Sequence, residues 1–245
     1  MEYWLNAKPD DPVAFAAEVA AVCAVYQHAP AVAQHGEHVI STDEKTGIQA
    51  LERAAPTLPM QPGLVERPEY AYLLRHGTQC LIANFDVATG EVVAPTIGPS
   101  RTEEDFAAHI AQTIATDPEA PWLFIVDQLN THKSEALVRL VARVCGIKED
   151  LGEKEKRGIL QSMPTRAAFL SDASHRIRFL STPKHSSWLN QIELWFSILV
   201  RRLLKRGNFT SVADLRERIL AFMAYFNKTM AKPFKWTYKG RPLTV

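Results

Sequence analysis

Three acids stand where an acid is costly unless it is used. Asp43 follows the β-branched run VIST, Asp127 ends the apolar run WLFIV, and Glu193 lies inside SWLNQIELW. In an α/β sheet, carboxylates at the carboxyl ends of strands point into the crevice where ligands bind. If the strands ending at Asp43 and Asp127 are neighbours, two like charges converge. One carboxyl pKa then rises unless a cation neutralises the pair. Oxygen donors with no Cys or His companion favour Mg²⁺ or Mn²⁺ over zinc. Glu193 can be placed through its helix, where Trp188, Ile192, Trp195, Phe196, Leu199 and Leu203 recur at spacings of three and four and form one apolar stripe. It lies about 100° round from Ile192, at the edge of that stripe, which suits the rim of a cleft. The plainer reading makes Glu193 a boundary residue of an amphipathic helix.

Other polar groups cluster near these acids in sequence. His132 in LNTH and His185 in PKHSS suit hydrogen bonds to the carboxylates, or contact with a phosphate, better than metal ligation among so many carboxylates. Asn190, three residues before Glu193, shares its helical side and could orient a carboxylate or a phosphate. Trp188 and Trp195 read as core rather than as base-stacking groups. Arg201, Arg202, Lys205 and Arg206 complement a helix C-terminus. Together with Lys154, Lys156, Arg157, Arg166, Arg176, Arg178 and Lys184 they form a set whose collective role is phosphate binding.

The elements that must position these groups follow from periodicity and punctuation. Residues 13–28 read as a helix after Asp10-Asp11-Pro12, and HVISTDE (38–44) as a short strand. Prolines 56, 59, 62 and 68 mark 45–68 as an irregular excursion. YAYLLRHG, QCLIANFDV and EVVAPT read as strands, the last two joined by a turn at Thr89-Gly90. A helix from Arg101 to about Thr116 has Thr102 as its cap. WLFIVD (122–127) is a strand buried on both faces. A helix over 133–145, a strand at RIRFLST (176–182), a long helix over 186–206 and a last helix capped by Ser211 complete the order. The sum is an α/β layer with a mixed sheet, three antiparallel-type strands followed by parallel ones, flanked by helices.

Composition narrows the function classes. The chain has 245 residues, 47% hydrophobic and 22% charged, which is globular rather than disordered. No apolar run approaches the roughly 18 residues of a membrane span, and the N-terminus lacks the pattern of a signal peptide. Cys23, Cys80 and Cys145 are dispersed and suggest neither a disulfide framework nor a zinc site, so a cytoplasmic setting is expected. The net charge of +1 hides a gradient: residues 1–132 carry 6 basic and 18 acidic side chains, residues 133–245 carry 22 and 9. That polarity suggests a polyanionic partner.

Four motifs in order now carry a resemblance: STDEKTGIQALER (41–53), VDQLNTH (126–132), TPKHSSWLNQIELWFSIL (182–199) and KPFKWTYKG (232–240). They resemble the catalytic domain of DDE transposases, in the bacterial insertion-sequence branch of the mariner superfamily. The resemblance implies a ribonuclease-H-like fold over 35–245, after an N-terminal helical linker at 1–34. It implies Asp43, Asp127 and Glu193 as the metal-binding triad, holding two Mg²⁺ or Mn²⁺ ions that cut DNA at transposon ends and join it to a target. Gln128, Asn130 and His132 would support the acids, and Lys184, His185, Asn190, Arg201, Arg202 and Lys205 would contact DNA. A homo-oligomer is implied for the active form.

This chain departs from the family pattern in three ways. Gln128 replaces the usual Asn after the second acid. Asp127 and Glu193 are separated by 65 residues, more than the family pattern, and the excess at 146–175 reads as a basic, DNA-contacting insertion. The helix-turn-helix modules that read terminal repeats are missing, which suggests the catalytic part of a longer transposase or a truncated copy. The competing readings are a truncated or domesticated derivative that binds DNA without cutting, and a stand-alone nuclease on the same fold.

Overall fold

A computed structural model describes residues 11–53, 58, 60–65 and 72–238. Helix α1 (Pro12–Ala33) is capped by the Asp11 side chain, which accepts from the backbone of Val13 and Ala14. Strands β1 (His38–Arg53), β2 (Tyr72–Asp86) and β3 (Val92–Gly98) form an antiparallel meander. After α2 (Glu103–Ile114), strand β4 (Trp122–Val126) pairs in parallel with β1. Helices α3 (Glu135–Val144) and α4 (Met163–Leu170) lead to β5 (Ile177–Ser181), parallel to β4. Then come α5 (Ile192–Arg202) and α6 (Val212–Thr229). The sheet order is β3-β2-β1-β4-β5, the expected mixed sheet.

Alternation along the strands divides the core in two. Ile40, Ile82 and Phe124 face Phe106, Ile110, Leu137 and Val141 of α2 and α3. On the other face, Leu81, Ala83 and Phe85 pack on Trp195, Phe196, Leu199, Ile219 and Phe226 of α5 and α6. Beside them Val39 and Ile125 meet Val19, Val22 and Tyr26 of α1. Each such fully buried apolar side chain contributes about 1.5–3 kcal/mol. Helix α1, long and apolar enough by length and composition to cross a membrane, thus spends its buried residues on the sheet here.

Several elements differ from their expected bounds, each for a local reason. The first strand does not stop at Glu44: its ladder with β2 continues through Ile48↔Gln79 and Leu51↔Arg75. The two runs expected as separate strands at 70–87 form the single strand β2, and Gly77, at φ +124, carries the chain through a register shift without ending it. Of the expected excursion at 45–68, residues 61–64 close a turn through paired backbone bonds between Gln61 and Leu64; residues 54–57, 59 and 66–68 lie outside the described residues. The Thr89-Gly90 turn forms as expected. Asp86 accepts from the Ala88 and Thr89 amides, and Gly90 has φ +78 with the Lys232 backbone 2.1 Å from where a Cβ would stand.

The long helix expected over 186–206 is shorter. It begins at Ile192, between 3-10 turns at Ser187–Leu189 and Leu204–Arg206. Asn190 has ψ 111, because its side chain turns inward to the sheet instead of outward from a helix. Trp188 consequently leaves the apolar stripe, is 43% exposed and meets Tyr238 edge-on, while Trp195 is fully buried. The segment 146–175 is not basic: it holds five basic and five acidic residues. Lys154 pairs with Glu103, Lys156 with Glu153 and Arg157 with Asp150. Arg166 is buried and donates to the Lys133 and Leu160 carbonyls. Leu160, Phe169 and Leu170 join the core beneath the sheet, so the segment supports the fold rather than offering a cationic surface.

Candidate active site

Strand register brings the first two acids together. Ser41 is level with Ile125 across the parallel β1–β4 pair. Asp43 and Asp127 each lie two residues further on and therefore emerge at the same height on adjacent strand ends. Glu193 sits in the first turn of α5, over the same strand end. Its helix is anchored there by Ser41, whose hydroxyl accepts from the Ile192 amide at 2.9 Å. Tyr26 of α1 adds a second anchor: its hydroxyl donates to the Leu189 carbonyl at 2.8 Å and accepts from the Gln191 amide at 3.4 Å.

Asp43 is 6% exposed. Its Oδ1 accepts from the Glu44 amide at 2.7 Å and its Oδ2 from Asn190 Nδ2 at 3.1 Å. Asn190 also donates to the Thr42 carbonyl and accepts from the Ser41 hydroxyl. Burial first, then the charges of Asp127, Glu44 and Glu193, push the Asp43 carboxyl up to about 7. Burial and the Asp127 charge likewise raise Glu193, with Lys45 opposing. Asp127 and Glu193 thus both bear on Asp43, and Asp127 bears on Glu193.

Asp127 goes the other way. Burial works against its charge, but His132, the Leu129 amide and Arg101 outweigh burial and hold it below the usual carboxylate range. His132 is enclosed, its ring packed at 4.3 Å from Phe106. Burial alone would lower it, yet bonds to Asp127 and Glu44 raise it to about 9. As imidazolium it donates from Nδ1 to Asp127 Oδ1 at 2.9 Å and from Nε2 to Glu44 Oε1 at 3.2 Å. Gln128 donates to the Thr182 carbonyl at 2.6 Å and accepts from Lys133, tying the ends of β4 and β5.

The other expected residues divide clearly. Asn190 is fully buried and holds Asp43, so direct contact with a DNA backbone is corrected to a contact with the acid. Asn130 is exposed, and among the described residues no hydrogen bond joins it to the acids. Lys184 and His185 are exposed on the turn after β5, His185 at φ +60. Lys184 lies near enough to Lys133 to lower that ammonium, after burial. Arg201, Arg202 and Lys205 are exposed at the far end of α5, about 12 Å or more along the helix from Glu193. Two residues escaped the sequence reading. Glu44 alternates to the face opposite Asp43, where a solvent-facing role is the ordinary expectation, and its partner His132 is 88 residues away. Lys133 looked like the start of a helix.

The donor set suits a hard divalent cation. Among the described residues no Lys or Arg forms an ion pair with Asp43, Asp127 or Glu193, and His132 is paired with Asp127 alone of the three. Their oxygens match Mg²⁺ or Mn²⁺ rather than zinc. Among the described residues no three His, Cys, Asp or Glu side chains are already gathered around one point.

Comparison with known proteins identifies the family and the fold. Residues 38–216 match the DDE superfamily endonuclease family. No curated protein sequence matches. Among solved structures, the Mos1 transposase paired-end complex with left transposon end is similar at TM-score 0.54 and 12% identity, over 91% of this chain and 58% of that one. The Mos1 mariner paired-end complex with Mn gives 0.52 at 12%, over 91% and 58%. The catalytic domain of Mos1 mariner transposase gives 0.51 at 8%, over 89% and 85%. At these identities the likeness concerns the fold, which is ribonuclease-H-like, and this chain spans little over half of the Mos1 chains in the paired-end complexes. Because the family match runs from β1 into α6 and takes in all three acids, the chain belongs to the DDE superfamily endonuclease family.

Proposed function

We propose that this chain is the catalytic domain of a transposase, cutting DNA at transposon ends and joining it to a target by metal-dependent phosphoryl transfer. The observation that carries the reading is the crowding of acids at one strand end: Asp43, which is buried, and Asp127 emerge at the same height on β1 and at the end of β4, with Glu193 in the first turn of α5. Such crowding is costly in an empty cleft and useful where divalent ions bind. Asp43, Asp127 and Glu193 would hold two Mg²⁺ or Mn²⁺ ions, whose chemistry is to activate the attacking oxygen and stabilise the leaving one. The solved Mos1 paired-end complex with Mn supports that choice of ion.

The chain's own residues do the orienting. Asn190 and the Glu44 amide fix both oxygens of Asp43. His132 fixes Asp127 and balances Glu44. Tyr26 and Ser41 hold the backbone that delivers Glu193. Lys133 and Lys184, close to each other and with Lys133 near Asp127, would supply cations for the flanking phosphates, with His185 next to Lys184 in sequence. A homo-oligomer and a separate helix-turn-helix module complete the proposal.

The test is nicking of supercoiled plasmid in Mg²⁺ or Mn²⁺, with Asp127→Asn as the control. The proposal expects metal-dependent nicks from the natural chain and none from the variant. Equal activity in the two proteins refutes the assigned site. Binding without any nicking, alone or with a helix-turn-helix partner, identifies the non-cutting derivative instead.

A further inference from the structure

A second cationic feature lies away from the acids. An open cavity of about 580 Å³ is lined by Ile198, Arg201, Arg202, Arg206 and Met230, between the C-terminal turn of α5, the 3-10 turn after it and the end of α6. Three other exposed arginines meet acids, Arg139 with Glu135, Arg157 with Asp150 and Arg218 with Asp214, while Arg75, Arg101, Arg143 and Arg216 are exposed with no ion pair among the described residues. Among the described residues none of the three arginines of the cavity has such a partner. A helix C-terminus accounts for favourable placement of one or two cations. It does not by itself bring three arginines to line one cavity with Ile198 and Met230.

Helix geometry separates this cavity from the cleft. Arg201 and Arg202 follow Glu193 by eight and nine residues, so they sit roughly 12–14 Å along the axis and about 80–180° round it. A phosphate held at the acids is therefore not the one that fills the cavity. We infer that the cavity grips the backbone of bound DNA at phosphates other than the one being cut, by bidentate arginine contacts. The inference rests on the proposed function for its partner. It adds Arg206 to the DNA-contacting set and leaves Lys205, which does not line the cavity, outside this grip.

The test is fluorescence anisotropy with a labelled DNA duplex in EDTA, from about 50 to 200 mM salt, where each phosphate contact contributes a slope of about 0.9. The triple variant Arg201→Ala/Arg202→Ala/Arg206→Ala is expected to lower the slope of log affinity against log salt by about 2–3. A matching triple Arg→Lys variant keeps the slope but binds more weakly, because the guanidinium fork is lost. An unchanged slope in the Ala variant, with its thermal transition intact, overturns the inference. So does full affinity in the Lys variant, since point charge alone would then suffice. Failure of the proposed function reads out separately, as plasmid nicking that ignores Asp127→Asn, and leaves the anisotropy result standing.

Discussion

In metal-free protein, Asp43→Asn removes the most crowded charge of the cleft, and its effect on stability has a definite sign. Burial and the neighbouring acids move the Asp43 carboxyl from an ordinary 3.8 to about 7. With its folded-state pKa raised, the native chain holds this proton more tightly than the unfolded chain does. The associated stability is complete below pH 3.8 and is lost as pH rises through about 7. Between pH 5 and pH 8 the loss spans about two pH units, or about 2.7 kcal/mol at about 1.36 kcal/mol per unit. Asp43 is 6% exposed, so solvent screening removes little of this. Urea unfolding of both proteins in EDTA at the two pH values is the assay. Asn at 43 also sets an amide against Asn190 Nδ2, but that cost is the same at both pH values and cancels in the comparison. The natural chain should lose about 2.7 kcal/mol more than the variant between pH 5 and 8. Saturating Mn²⁺ should recover stability for the natural chain at pH 8 and little for the variant. Parallel pH profiles would refute the electrostatic picture of the cleft.

His109 offers an independent pH test away from the acids. It is buried on α2 against Thr96, at 2.8 Å, and burial lowers its pKa to about 3; its contribution is present above pH 6.5 and is lost as pH falls towards 3. Down to pH 4.5 that is about 2.7 kcal/mol, and His109→Gln should show that much less acid destabilisation in urea titrations. Tyr26→Phe leaves the buried Leu189 carbonyl without its donor. It should cost about 1–3 kcal/mol in denaturant unfolding, and nicking at saturating metal should fall further than Trp188→Ala makes it fall. Trp195→Ala opens a void under α5, where the ring is fully buried; a loss of about 3–5 kcal/mol is expected in the same assay.

Strand ends and alternation were legible because they depend on local pattern. WLFIV predicts a central strand, and the observed β4 covers those five residues with Asp127 just beyond. Thr102 and Ser211 announce their helices, since a cap acts within three residues. The α5 start was not legible. Asn190 reads as helical by spacing, but its hydrogen bonds reach Thr42 and Asp43, about 148 residues earlier, and no local pattern reports such a partner. Glu44 and His132 failed to appear as a pair for the same reason. The charge of 146–175 was misjudged by weighing its Lys and Arg runs over the interleaved acids that neutralise them. The gradient between the halves of the chain survives in space only in part, as Lys133 near Asp127 with Lys184 close to it, and the arginines at the far end of α5.

The central claim is that Asp43, Asp127 and Glu193 act as one divalent-metal site. The most direct measurement is anomalous diffraction at the manganese edge from crystals of the natural chain soaked in Mn²⁺. The account predicts anomalous density within coordination distance of the Asp43 and Asp127 carboxylates, with the Glu193 side chain turned towards it. Manganese bound only elsewhere, or a cleft that stays empty at saturating Mn²⁺, would contradict it.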